Sequence, residues 1–182
     1  MRVFIALDLP KIIKNKIAEL ENFFKQYDLN FKWVKPENFH LTLKFLGNIN
    51  QEQVSKIERA ITTVSGKFTA FNINLNGFGF LPKGKKPKVF FASSKKGELL
   101  KSIIKELEEE LETLGFDKEN RFTAHITLAR IKDSKNIESL KTKIKNTQLN
   151  QMFLADAITL YKSTLTKKGP IYGKIFKSNL TA

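Results

Sequence analysis

The chain has two histidines, His40 and His125, and each opens the same four-residue frame: His40-Leu41-Thr42-Leu43 and His125-Ile126-Thr127-Leu128. Histidine, with an ordinary pKa of ~6.5, can give or take a proton near neutrality. A pair can do both in one reaction. A neutral imidazole takes a proton from an attacking water while an imidazolium delivers one to a departing oxygen, and each role is typically worth ~10²–10⁴ in rate. Threonine hydroxyls two residues on can donate to the non-bridging oxygens of a phosphate under attack. Together these are the parts for opening a phosphodiester without metal or cofactor. With no cysteine and no His/Glu spacing of the zinc type, a metal site is not expected. No Gly-x-x-x-x-Gly-Lys-Ser/Thr loop occurs, so NTP hydrolysis is not indicated.

A single His-x-Thr-Leu is more often a packed structural strand than a site. Two copies at equivalent places of a repeat are not required by packing. The frames lie 125 − 40 = 85 residues apart, and Val3-Phe4-Ile5-Ala6 is echoed by Val89-Phe90-Phe91-Ala92 at an offset of 89 − 3 = 86. Such regularity points to duplication.

The elements that must hold the frames follow from periodicity. Arg2 to Leu7 reads as a strand, followed by a helix with Ile13, Ile17, Leu20 and Phe24 on one face. Phe31 to Val34 is a short strand and His40 to Leu46 the next, ended by Gly47. Asn50 with Gln53 reads as a capping box before a helix carrying Val54, Ile57, Ile61 and Val64. An alternating strand, Phe71 to Leu75, runs into Gly77-Phe78-Gly79-Phe80. Lys83 to Lys88 is the main loop signal. After it come a strand at Val89 to Ala92, a helix from Leu100 to Leu114 closed by Gly115, the second frame, and a helix with Ile137, Leu140 and Ile144. The tail predicts two strands, Met152 to Thr166 and Ile171 to Lys177, separated by Lys167-Lys168-Gly169-Pro170. The expected architecture is α+β and bilobal: two pseudo-symmetric lobes, each with a mostly antiparallel sheet and two helices, and a catalytic cleft between them. The whole chain, 1–182, is expected to be one domain, with repeat halves 1–82 and 88–166 and a C-terminal strand at 170–178.

Alternation along a strand puts His40 and Thr42 on one face with Leu41 and Leu43 on the other, and His125 and Thr127 opposite Ile126 and Leu128. Lys44 shares the parity of His40, so it adds charge there or forms a solvated strand end. Arg130 has the parity of the core face and reaches the cleft only if the strand bends or ends. Phe4, Phe45 and Tyr172 read first as core, with stacking on a base as the functional alternative.

Charge supports an anionic partner. The chain carries 32 Lys+Arg against 18 Asp+Glu, a net +14, although only Arg2, Arg59, Arg121 and Arg130 are arginine and much of the excess is lysine of the surface-solvating kind. No apolar run approaches the ~20 residues that span a bilayer, and Asp8 comes too early for a signal peptide, so a cytoplasmic, monomeric protein without a membrane partner is expected. The Lys83 to Lys88 loop reads equally as an RNA guide or a soluble connector.

Arg2 to Pro10, Trp33-Val34 to Gly47, Arg121 to Arg130 and Leu160 to Tyr172 together resemble the RNA 2′,3′-cyclic phosphodiesterases of the 2H phosphoesterase superfamily, historically called the 2′-5′ RNA ligase family. The resemblance covers nearly the whole chain. It implies a bilobal fold and metal-independent opening of RNA or nucleotide 2′,3′-cyclic phosphate ends to 2′-phosphates. It further implies His40 as proton donor, His125 as proton acceptor, and Thr42, Thr127 and Arg130 as phosphate ligands. Ala124 departs from the proline usual before the second histidine. Ser163, Gly169, Pro170 and Tyr172 match the C-terminal pattern, the Gly-Pro turn as architecture. A 2′-5′ ligase or phosphodiesterase on the same site, or a non-catalytic single-strand RNA-binding module, are the alternatives.

Overall fold

The computed structural model describes residues 1–181 apart from 28, 85, 96, 120, 134, 136 and 168. In chain order the elements are β1 (Arg2–Asp8), α1 (Lys11–Lys25), β2 (Phe31–Trp33), a 3₁₀ turn (Pro36–Asn38), β3 (His40–Asn48), α2 (Gln51–Ser65), β4 (Phe71–Leu81), β5 (Val89–Ser94), α3 (Glu98–Glu112), β6 (His125–Ile131), α4 (Ile137–Lys145), β7 (Gln151–Ala155), β8 (Ala157–Thr166) and β9 (Gly169–Asn179). Both frames therefore open strands. The helices form where apolar residues recur at helical spacing: Ile13, Ile17 and Phe24 are buried on α1, and Val54, Ile57, Ile61 and Val64 on α2. Asn50 and Gln53 cap α2 reciprocally, side chain to backbone in each direction. Gly115, at φ +86°, follows α3 in the left-handed conformation.

The strands form two antiparallel sheets, ordered β3-β1-β8-β9 and β2-β6-β5-β4-β7. Helices α2 and α3 pack together, with α2 on β8 and β9, while α4 lies on β4 and α1 contacts β7. Phe24 of α1 meets Phe78 and Phe90 of the second sheet edge-on. The lobes do not follow chain order. β2 and β4 join the second sheet, and β8 and β9 return to the first. The predicted single strand from Met152 to Thr166 is in fact two, broken at Asp156, where the chain passes from one sheet to the other. Alternation cannot reveal such a switch, because Ala155 and Ala157 are both buried, each in its own sheet. Among the described residues no helix is long and apolar enough to cross a membrane.

Register corrects the apparent offset of the leading strands. Ala6 pairs with Thr42 on β1 and β3, and Phe91 pairs with Thr127 on β5 and β6. Ala6 and Phe91 are thus equivalent, at 91 − 6 = 85 residues, the same spacing as the histidines. The echo at 86 came from similar letters shifted by one position.

Candidate active site

Each frame strand carries a bulge at the same place. On β3 the register skips Leu43, passing from Thr42 opposite Ala6 to Lys44 opposite Ile5. On β6 it skips Leu128, passing from Thr127 opposite Phe91 to Ala129 opposite Phe90. A bulge adds one residue to one strand and reverses the alternation beyond it. Leu43 and Lys44 are consequently both buried, as are Leu128 and Ala129, and the next residues, Phe45 and Arg130, turn back to the face of the histidines.

Two expectations are corrected by this. Lys44 does not face the cleft: it is buried on the core side, its ammonium donating to Glu108 Oε2 at 2.8 Å and to the Asp117 carbonyl at 2.6 Å. Phe45 is not core but more than half exposed. Arg130, by contrast, reaches the cleft through the bend that its position requires.

His40, Thr42, Phe45, His125, Thr127 and Arg130 line one cleft of about 570 Å³ between the sheets. Both imidazoles are held the same way. Nδ1 of His40 lies 2.7 Å from the Asn38 carbonyl, and Nδ1 of His125 lies 2.7 Å from the Thr123 carbonyl, each two residues upstream. A carbonyl only accepts, so Nδ1 carries hydrogen in both rings and Nε2 is left for chemistry. Asn38 is itself braced, since its amide donates to the Pro170 carbonyl at 3.1 Å. The Gly-Pro turn thereby supports the His40 wall from the opposite end of the chain. Neither threonine hydroxyl has a protein hydrogen-bond partner among the described residues.

The surroundings of the two rings differ. His40 packs against Phe4 at 4.7 Å and edge-on to Tyr172 at 5.2 Å, on a patch where Phe4 also stacks on Tyr161. Burial pushes its pKa down to about 4, with the Lys14 and His125 charges adding to the fall and the Asn38 hydrogen bond and Asp8 opposing it. His125 meets Phe91 edge-on at 5.3 Å. Phe91 lies across Gly79, its cross-strand partner, where a Cβ would come within 2.6 Å of the ring. Burial raises the pKa of Tyr172, against the opposing charges of Arg130 and Arg2, which line the same cleft.

The cleft wall includes Arg2, Lys32, Lys35 and Arg130 and no aspartate or glutamate among the described residues. Lys32 escaped the sequence reading, although its signal was present: on β2, Phe31 and Trp33 turn inward, so Lys32 turns outward. The lysine loop at 83–88 includes residue 85, which lies outside the described residues, and none of its other residues lines the cleft.

Residues 7–91 and 92–172 each match the family model described as LigT like Phosphoesterase. The RNA 2′,3′-cyclic phosphodiesterase of Methanocaldococcus jannaschii is 36% identical, covering 94% of this chain and 96% of its own. That of Thermotoga maritima is 31% identical, covering 97% and 94%. A crystal structure of a Thermus thermophilus protein superposes with a TM-score of 0.85 at 25% identity, over 99% of this chain and 98% of its own. E. coli LigT complexed with 3′-AMP shares the fold, with a TM-score of 0.77 at 24% identity over 100% and 98%.

Proposed function

The chain belongs to the LigT-like phosphoesterase family, and on that premise we propose that it hydrolyses RNA 2′,3′-cyclic phosphate ends to 2′-phosphates, with His40 and His125 as the acid/base pair. The observation that carries this reading is the convergence of both His-x-Thr frames on one cleft, with each Nδ1 tied back to a carbonyl and each Nε2 without a hydrogen-bond partner among the described residues. The residues 1–182 act as one unit of two lobes.

In this reading the cyclic phosphate sits between the frames. Thr42 and Thr127 donate to its non-bridging oxygens, and the Arg130 guanidinium forks onto the same group. Neutral His125 takes a proton from water as the water oxygen bonds to phosphorus. The bond from phosphorus to the 3′ oxygen breaks, and His40 gives that oxygen its proton. The proton inventory closes between two imidazoles, so the step calls on no metal.

The donor role must be reconciled with the depressed pKa of His40. A drop from 6.5 to about 4 disfavours the imidazolium by roughly 3 kcal/mol. One anionic charge about 4 Å away, at an effective dielectric of ~20, returns about 4 kcal/mol. An anionic substrate at that distance would thus offset the cost of protonating His40. The order of the two roles rests on family resemblance alone.

The test is incubation of chelator-treated protein with a 2′,3′-cyclic nucleotide and identification of the product. A 2′-phosphate is expected, with His40→Ala and His125→Ala each slowing the reaction by ~10²–10⁴. Inert wild type, or histidine variants as active as wild type, would overturn the proposal.

A further inference from the structure

Lys32 and Arg130 are directly opposite each other in the antiparallel β2–β6 pair. Opposed residues share a face, with Cβ atoms roughly 4.5–5.5 Å apart, and like charges so placed repel. Neither cation has an ion-pair partner among the described residues, and no carboxylate among them lines the cleft they share. Many surface lysines of this basic chain also lack an acidic partner among the described residues; what sets Lys32 apart is its place in the cleft wall directly opposite Arg130. Two unneutralised cations held side by side in a concave wall concentrate positive potential and await an anion.

Resting on the cyclic-phosphate reading, we propose that Lys32 binds the phosphodiester adjacent to the cyclic end, so that the site favours a polynucleotide terminus over a mononucleotide. The cyclic phosphate already has the two frames and Arg130. Lys32 stands one strand farther out, roughly 4.8 Å beyond β6, itself some two to three residues along from Thr127 at about 3.3 Å each. A mononucleotide has no group to place there. An RNA chain has its next phosphate, and a lysine on a flexible stem suits a contact made without regard to sequence.

The experiment compares a trinucleotide ending in a 2′,3′-cyclic phosphate with a 2′,3′-cyclic mononucleotide. Lys32→Ala should raise KM for the trinucleotide about fivefold to tenfold and leave kcat and the mononucleotide within twofold, and Lys32→Arg should restore binding. Across a salt series, the slope of trinucleotide affinity should become shallower by about 0.7, the share of one single-strand phosphate contact. Lys83→Ala, outside the cleft, should keep the wild-type slope. Equal losses on both substrates, or none on the trinucleotide, overturn the proposal. Anisotropy with 2′-phosphate-ended forms of both ligands measures the same contrast without turnover. If wild type hydrolyses neither substrate, the functional reading falls, and the binding measurement still decides Lys32.

Discussion

On β3 the residue that the bulge returns to the cleft is Phe45; on β6 it is Arg130. Up to that point the strands repeat each other in backbone device as well as sequence: the same skipped leucine, the same carbonyl two residues before the histidine. The neighbours then diverge. Opposite His40 stands Asp8, bridged to Lys14 at 2.8 Å and Lys174 at 2.6 Å; opposite His125 stands Ser93. Burial alone would raise the Asp8 carboxyl, but its hydrogen bonds to Lys14 and Lys174 outweigh that and hold it low. Under the bulge, Lys44 reaches a buried glutamate where β6 has only Ala129. The lobes thus share what aims the histidines and differ in what surrounds them. One supplies an aromatic wall and a charged brace, the other a guanidinium.

Lys44 is where the two strands should differ most in stability. If its charge is structural, Lys44→Ala leaves Glu108 buried without a counter-ion and should cost about 3–5 kcal/mol, whereas the double change Lys44→Met with Glu108→Leu should recover much of it. Denaturant midpoints at unchanged m-value measure this. A loss under about 1 kcal/mol would mean that Lys44 is no more than an expendable counterpart of Ala129.

His40 gives the next effect. Its folded pKa of about 4 lies below the ordinary 6.5, so between those values the unfolded chain binds more protons than the folded one. Stability from keeping His40 neutral is fully present above about pH 6.5 and is lost as pH falls toward 4. The full shift corresponds to roughly 3 kcal/mol, less where cleft water reaches the ring. His40→Gln should flatten that part of the stability-against-pH curve in the ligand-free protein. An unchanged slope would show that the aromatic patch does not desolvate the ring.

Much of this was legible from the sequence. The two frames, the strand and helix series and the Asn50–Gln53 cap each express a local rule in local residues. Lys44, Phe45 and the 85-residue register were not legible, because a bulge reverses alternation without leaving a glycine or proline to mark it. The frames' own repeat, Leu43 and Leu128, hides the extra residue as an ordinary core position. The break at Asp156 escaped for a different reason: the sheet exchange is fixed by long-range pairing of β8 with β1, which no local window contains. Lys32 was visible as an outward residue, but its meaning depends on Arg130 standing opposite, a fact of register alone.

The smallest effect separates the lobes most directly. If the guanidinium on β6 holds phosphate while the ring on β3 is only a wall, Arg130→Ala should lower kcat/KM about 10- to 30-fold, roughly 1.4–2 kcal/mol of transition-state stabilisation. Arg130→Lys should return only part of this, since an ammonium keeps the charge but loses the planar fork. Phe45→Ala should cost less than about threefold, in line with a solvent-exposed ring that makes no polar contact. The exchange of both residues, Phe45→Arg with Arg130→Phe, tests whether position or chemistry matters. Pseudo-symmetry offers the new guanidinium an equivalent backbone site, yet it would enter the cleft from the side of His40 and sit away from Lys32. Activity should therefore stay near that of Arg130→Phe alone. Recovery to within a fewfold of wild type would mean that the two walls are interchangeable and that only the total of positive charge in the cleft counts.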